Sequence, residues 1–304
     1  MHKPSTLLVT GASGFVGQHL VPGLLAAGYA VRVLTRRADR LRALPWAAAV
    51  AVVEGDLADR AACARACDGV AAVLHLAGLA HARASAAAYR RELLDNSLQL
   101  AAAASAAGVR RFVYLSSCKA AYPGHSPYAL YKQRTEQALL ALAPALDVVC
   151  LRPGPVYGPG LRSHLGTLLQ VARLPWLPLL PRSTAPLSLI GVHDCARALQ
   201  LAATHPALPG RVWALDDGVQ YTLPELVAAI RRQRGLPAVR ALLPALGTRA
   251  LLWLAGLLPP LRRRGIGAAT SRVLFDEPCP VDPAFAAATG FAASTDFYRE
   301  LGSL

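Results

Sequence analysis

Lysine is nearly missing from this sequence: the basic residues include only Lys3, Lys119 and Lys132 as lysines, and there is a single methionine. Charged residues make up 16% and aromatics 6%, against 54% hydrophobic. So little charge with so much apolar material excludes a disordered chain and allows a sizeable core. No basic run interleaved with aromatics occurs, so the footprint of a nucleic-acid binder is missing and no nucleic-acid partner is expected. The six cysteines have neither CxxC nor Cys/His spacing, and 304 residues are too many to need disulfide staples. No metal is assigned, and Cys63 and Cys67, four apart on a predicted helix, read as packed thiols. The opening "MHKPSTLLVTGASG" runs directly into a predicted strand with no apolar leader region, so a reducing cytoplasm is the expected location.

A long uninterrupted apolar run is also lacking. The stretch 241–264, "ALLPALGTRALLWLAGLLPPLRRR", comes nearest, but Arg249 interrupts it and Pro259-Pro260 closes it. It falls short of the roughly 18 residues a spanning helix needs, and reads as a buried or lid helix. Attachment to a membrane surface through Trp253 and the arginine cluster is the alternative. Net charge is +14, almost all of it arginine. Such a balance suits small anionic ligands or an anionic surface, and it also follows if a GC-rich genome writes Arg for Lys.

What is present is an alternation of short β-branched runs with Ala/Leu-rich stretches, the pattern of repeated βαβ units. Strands are predicted at 6–10, 30–35, 51–55, 71–77, 111–117 and 147–153. Helices are predicted at 15–27, 58–66, 89–107 and 127–143. Six strands with crossovers make an α/β, doubly wound parallel sheet, a Rossmann fold. After Pro153, "GPVYGPG" and "LPWLPLLPRSTAP" are dense in proline and glycine and mark a smaller C-terminal substrate lobe. The division is 1–153 for the dinucleotide-binding domain and 154–304 for the second lobe, with about 186–204 returning to the first. In the second half Asp194 and Thr222 are read as helix caps.

"TGASGFVG" follows the first strand and opens a helix, which places Gly11, Gly14 and Gly17 in a dinucleotide-binding context, with Ser13, Phe15 and Val16 beside them. Glycine permits the tight turn and close backbone approach to a pyrophosphate, and the helix N-terminus attracts its charge. The second strand ends in Thr35, Arg36 and Arg37, where an NAD-preferring site would carry a carboxylate. Two guanidiniums suit a 2′-phosphate, so NADP(H) is favoured with NAD(H) possible, unless both arginines merely face solvent. Asp56, followed by Leu57, ends the third strand where it could accept from an adenine amino group. Leu76, Ala77 and Gly78 end the fourth and are small enough, at the last two, to let a cofactor lie against the backbone.

Tyr128 and Lys132 share one face of a predicted helix, where the ammonium could favour the phenolate. Ser117 closes the fifth strand at the sheet edge that faces ligands, where its hydroxyl can bind a reacting oxygen. Joined in this order to the glycine loop, Ser117, Tyr128 and Lys132 read as a catalytic triad.

These motifs, with "GDLAD", "VLHLAG", "DNSLQLAAAASAAGVRRFVYLSSCK", "PYALYKQRTEQAL", "LRPGPVYGPG" and "VHDCARAL", resemble the extended short-chain dehydrogenase/reductases. Within them the sequence is similar to the NAD-dependent epimerase/dehydratase group acting on nucleotide sugars. The resemblance implies the same triad, Pro153 near the nicotinamide and Asn96 as a structural or site residue. It implies substrate contacts around His81, Cys118, Lys119, Pro155 and Arg182, and a homodimer through the two long helices. The activity it implies is 4-ketoreduction of a UDP-sugar in surface polysaccharide biosynthesis, with a UDP-hexose 4-epimerase as alternative. Three departures matter: a short Ser117-to-Tyr128 spacing, Pro155 where many epimerases carry an asparagine, and Leu187 where an arginine often binds diphosphate. They leave room for a ketoreductase of an apolar, steroid- or lipid-like alcohol. A non-catalytic NAD(P)-binding scaffold is the remaining reading, and it has no need of an intact triad.

Overall fold

A computed structural model describes residues 5–79, 84–161, 165, 170, 172–173, 179–181, 183, 185–206, 208, 210–239, 241–257 and 276–302. Two compact units emerge. The first comprises Met1–Pro153, Val192–Leu215 and Pro283–Ala292, and the second Gly154–Gly191, Asp216–Asp282 and Ala293–Leu304.

The first unit is a parallel sheet of β1 (Thr6–Thr10), β2 (Ala30–Thr35), β3 (Ala51–Glu54), β4 (Ala72–His75), β5 (Arg111–Leu115), β6 (Asp147–Pro153) and a seventh strand, Val212–Leu215. From that seventh strand inwards the order is β6, β5, β4, β1, β2, β3, all parallel. The order reverses between β1 and β4, and a doubly wound sheet opens its ligand crevice at that switch point. The seventh strand escaped the sequence reading because "VWAL" is short; its pairing with β6 alone makes it a strand.

Strands covered on both faces must be apolar throughout, and Leu7, Leu8, Val9, Val73, Leu74, Phe112 and Val113 are all buried. The helices Arg60–Cys67, Asn96–Ala106 and Pro127–Leu140 press Cys63, Cys67, Leu100 and Leu139 onto one face of the sheet, so both thiols are packed core residues. Phe15–Ala26 packs beside Val192–Thr204. Asp194 lies inside the first turn of the latter helix, fully buried and 2.6 Å from Arg197, and is not its cap. The predicted helix at 89–107 is three pieces: Ala86–Tyr89, a π-turn over Arg90–Asp95, and Asn96–Ala106.

In the second unit, Tyr157, Tyr221, Leu226, Ile230 and Phe297 form a small core. Asp217 sits in it and accepts hydrogen bonds from the Tyr157 and Tyr221 hydroxyls at 3.1 and 2.8 Å. Burial pushes its carboxyl up to about 6, against the pull of those two donors. Thr222 caps Leu223–Gln233, and Glu225 closes back on its amide at 2.9 Å. The apolar stretch near Trp253 forms a helix, Ala245–Leu257, but not a buried one: Leu246, Leu251, Trp253, Leu254 and Leu257 are all exposed. Among the described residues no helix is long and apolar enough to cross a membrane.

Candidate active site

The glycine turn is built by close approach. Gly11 has φ +72°, and a Cβ there would stand 2.7 Å from the Ala77 nitrogen; at Gly17 one would stand 2.4 Å from the Gly11 carbonyl oxygen. Only glycine fits either place. The helix that follows carries neither a side-chain cap nor an acid in its first turn, so its free N–H groups are left for an anion. Ser13, Phe15 and Val16 are partly exposed around this turn. A dinucleotide pyrophosphate fits this cradle.

Behind the turn runs a buried polar chain that the sequence reading missed. The Ser97 hydroxyl donates to the Leu93 carbonyl, so the His75 Nε2–H donates to Ser97 Oγ at 2.8 Å. Nδ1 then accepts from the Thr10 hydroxyl at 2.7 Å, and Thr10 Oγ1 in turn accepts the Ala77 amide at 3.2 Å. Burial pushes the imidazole down to about 3, with Lys132 adding to the effect, and the ring stays neutral. The chain ties the end of β1 and the Ala77-Gly78 step to the π-turn. π-turns of this kind frequently mark functional sites.

At the rim, Thr35 ends β2. Arg36 lies 3.6 Å from both Asp56 and Glu92, and Arg37 lies 3.2 Å from Asp39. Both guanidiniums are more than half exposed and engaged by carboxylates. Asp56 also holds the Ala58 amide at 2.8 Å, and the Leu57 carbonyl accepts from Gln99 at 2.7 Å. Leu76 bonds back to Thr10 through its amide.

Ser117 lies two residues past the end of β5, where it caps the short turn Cys118–Ala121 and accepts the Lys119 amide at 3.3 Å. The turn occupies much of the short stretch before Tyr128. Ser126 caps the following helix through the Ala129 amide at 3.1 Å, which places Tyr128 and Lys132 on its inner face. The two side chains do not interact as the i, i+4 spacing suggests. The Lys132 ammonium donates to the Leu115 carbonyl at 2.7 Å and sits 4.5 Å over the Tyr114 ring, but 6.0 Å from the centre of the Tyr128 ring. Burial pushes the Tyr128 phenol well above its ordinary value, a hydrogen bond with Ser117 pulls it partly back, and Cys118 and Tyr89 push it further up. The expected lowering by Lys132 is not there: the ammonium has turned to the Leu115 carbonyl, and burial sets the direction. Burial also pulls Lys132 down to about 8, and Glu136 resists that pull.

Glu136 continues the same face one turn on. It is buried and grips Arg152 of β6 with two hydrogen bonds, at 2.8 and 2.5 Å. Its spacing of eight from Tyr128 is a signal the sequence held. Tyr89 packs edge-on against Tyr128 at 5.9 Å. Asn96 is buried at the start of its helix, and Pro153 is buried at the end of β6. Pro155, exposed, and Leu187, half-buried, belong to the second unit. His81 and Arg182 lie outside the described residues.

The profile of the NAD dependent epimerase/dehydratase family matches residues 7–215. A ceramide reductase of Caulobacter vibrioides is 38% identical over 217 residues, 70% of this chain and 66% of that protein. A UDP-glucose 4-epimerase of Vibrio cholerae is 28% identical over 250 residues, 74% of each. Among solved structures, MoeE5 in complex with UDP-glucuronic acid and NAD has a TM-score of 0.75 at 26% identity, covering 98% of this chain and 97% of its own.

Proposed function

The chain belongs to the NAD dependent epimerase/dehydratase family, and from that premise we propose that it is an NADPH-consuming ketoreductase of a lipid-like ketone. The observation that carries the reduction is the state of Tyr128: its phenol is held protonated by burial, with the Ser117 hydroxyl bonded to it. A group so disposed is an acid that gives its proton only when a stronger base, a developing alkoxide, reaches it. Bound nicotinamide supplies the hydride. Ser117 and Tyr128 hold the carbonyl oxygen, and Tyr128 delivers the proton, with the Lys132 ammonium 6.0 Å from the Tyr128 ring as the nearest cation the helix supplies. With its ammonium near 8, Lys132 can pass on a proton close to neutral pH. Arg36 and Arg37 support the phosphorylated coenzyme.

The substrate class rests on the ceramide reductase likeness, together with proline and leucine at 155 and 187, neither of which offers a side-chain donor to a diphosphate. The test offers NADPH with a long-chain keto-amide lipid in detergent. One coenzyme should be consumed per alcohol formed. A second reading, reduction of a UDP-4-keto-sugar, is favoured by MoeE5, similar over nearly its whole length. Consumption of NADPH with the sugar but not the lipid would establish that reading instead, and interconversion of UDP-hexoses without added coenzyme would mean an epimerase.

A further inference from the structure

The helix Ala245–Leu257 shows its apolar side to solvent. Leu246 is 83% exposed, Trp253 and Leu257 61% each, and Leu254 53%. Spacings of seven, eight and eleven from Leu246 put these side chains on one face. Thr248, on the opposite face, is buried, so it is that other side of the helix that is covered. Such a contiguous patch of large apolar side chains marks an interaction surface.

The sequence that carries it says what kind. Between Glu225 and Asp276 the sequence holds no acid at all in fifty residues, and nine arginines. Arg231 is buried and Arg249 pairs with Asp276 at 2.6 Å, while Arg232 and Arg234 are exposed. An apolar face carrying a tryptophan, in an acid-free and arginine-rich stretch, is complementary to a surface that is greasy beneath and negative at its rim. We propose that this helix docks the protein on an anionic lipid bilayer, lying in the headgroup region with Trp253, Leu254 and Leu257 inserted. The helix is too short to span, so attachment is peripheral and reversible. A second copy of this chain, equally basic, would bring like charge against like charge and is the weaker occupant. The inference stands independently of which ketone is reduced.

The test is flotation of the full chain with vesicles of phosphatidylcholine alone and of phosphatidylcholine mixed with phosphatidylglycerol, at low and raised salt. The protein should float with the mixed vesicles at least about tenfold better than with the neutral ones, and salt should weaken the difference. The double variant Trp253→Glu, Leu257→Glu should lose vesicle binding by about tenfold or more while keeping the wild-type unfolding midpoint, since both side chains are exposed. Leu246→Glu alone gives an independent, smaller loss. Absence of binding to either vesicle would overturn the proposal, as would binding unchanged in the variants. A dimer in sedimentation that the substitutions dissociate, with no flotation, would overturn it in favour of self-association.

Discussion

Each unit buries one titratable group among hydroxyls, and the two behave in opposite ways. In the first unit His75 has both ring nitrogens committed, to Thr10 and Ser97, and burial pushes it down to about 3. In the second Asp217 accepts from Tyr157 and Tyr221, yet burial pushes it up to about 6. Burial favours the neutral form of either group, and for a base and an acid that means shifts of opposite sign. The consequence is that the polar chain behind the glycine turn keeps one protonation state across the physiological range, while the node of the second unit titrates just below it.

The largest effect expected is on the His75 side. Below its unfolded value of 6.5 the unfolded chain gains a proton that the folded ring refuses. Its contribution to stability is therefore complete above pH 6.5 and is lost as pH falls towards 3, by about 5 kcal/mol. His75→Gln, which keeps two polar ends, should flatten that acid limb in urea unfolding measured across pH. An unchanged limb would mean the ring is solvated and the chain is not closed.

Tyr128→Phe comes next and bears on chemistry alone. Loss of a general acid costs about 10² to 10⁴-fold in turnover, while coenzyme affinity by titration should hardly move, because the hydroxyl is not part of the glycine cradle. A turnover near normal would remove Tyr128 from the proton path.

Asp217 should then pull the stability curve the other way. Its folded value lies above the unfolded 3.8, so the stability it contributes is present below pH 3.8 and is lost as pH rises to about 6, by about 3 kcal/mol. In Asp217→Asn that decline should vanish. If both variants left the curve unaltered, the contrast between the two nodes would have no thermodynamic content.

The same contrast shows what sequence could disclose. The glycine turn and the Tyr128-Lys132 pair are local, so spacing alone puts them on the turn and the helix where the structure has them. What failed depends on partners far along the chain. Lys132 is drawn off Tyr128 by the Leu115 carbonyl, and Glu136 finds Arg152 across the sheet. His75 acquires meaning only through Thr10 and Ser97. Hydropathy misjudged the helix at Trp253 because it measures how apolar a stretch is and not which side of it is covered.

The smallest expected effect lies at the rim of the cradle, where a coenzyme would meet Arg36 and Arg37. Both already face carboxylates: Asp56 and Glu92 at 3.6 Å, Asp39 at 3.2 Å. A 2′-phosphate must draw the guanidiniums away from these acids and accept the repulsion that remains. Exposed ion pairs are worth about 0–1 kcal/mol, whereas hydrogen bonds to a charged group are worth about 1.5–3 kcal/mol each. The phosphate wins, by a margin narrower than the arginines alone suggest. NADPH should therefore bind about tenfold tighter than NADH, since tenfold corresponds to about 1.4 kcal/mol. Replacing both arginines with alanine should abolish that difference by weakening NADPH and not NADH. Equal affinities in the wild type would mean that the carboxylates hold the guanidiniums and that the site takes NAD, as MoeE5 does.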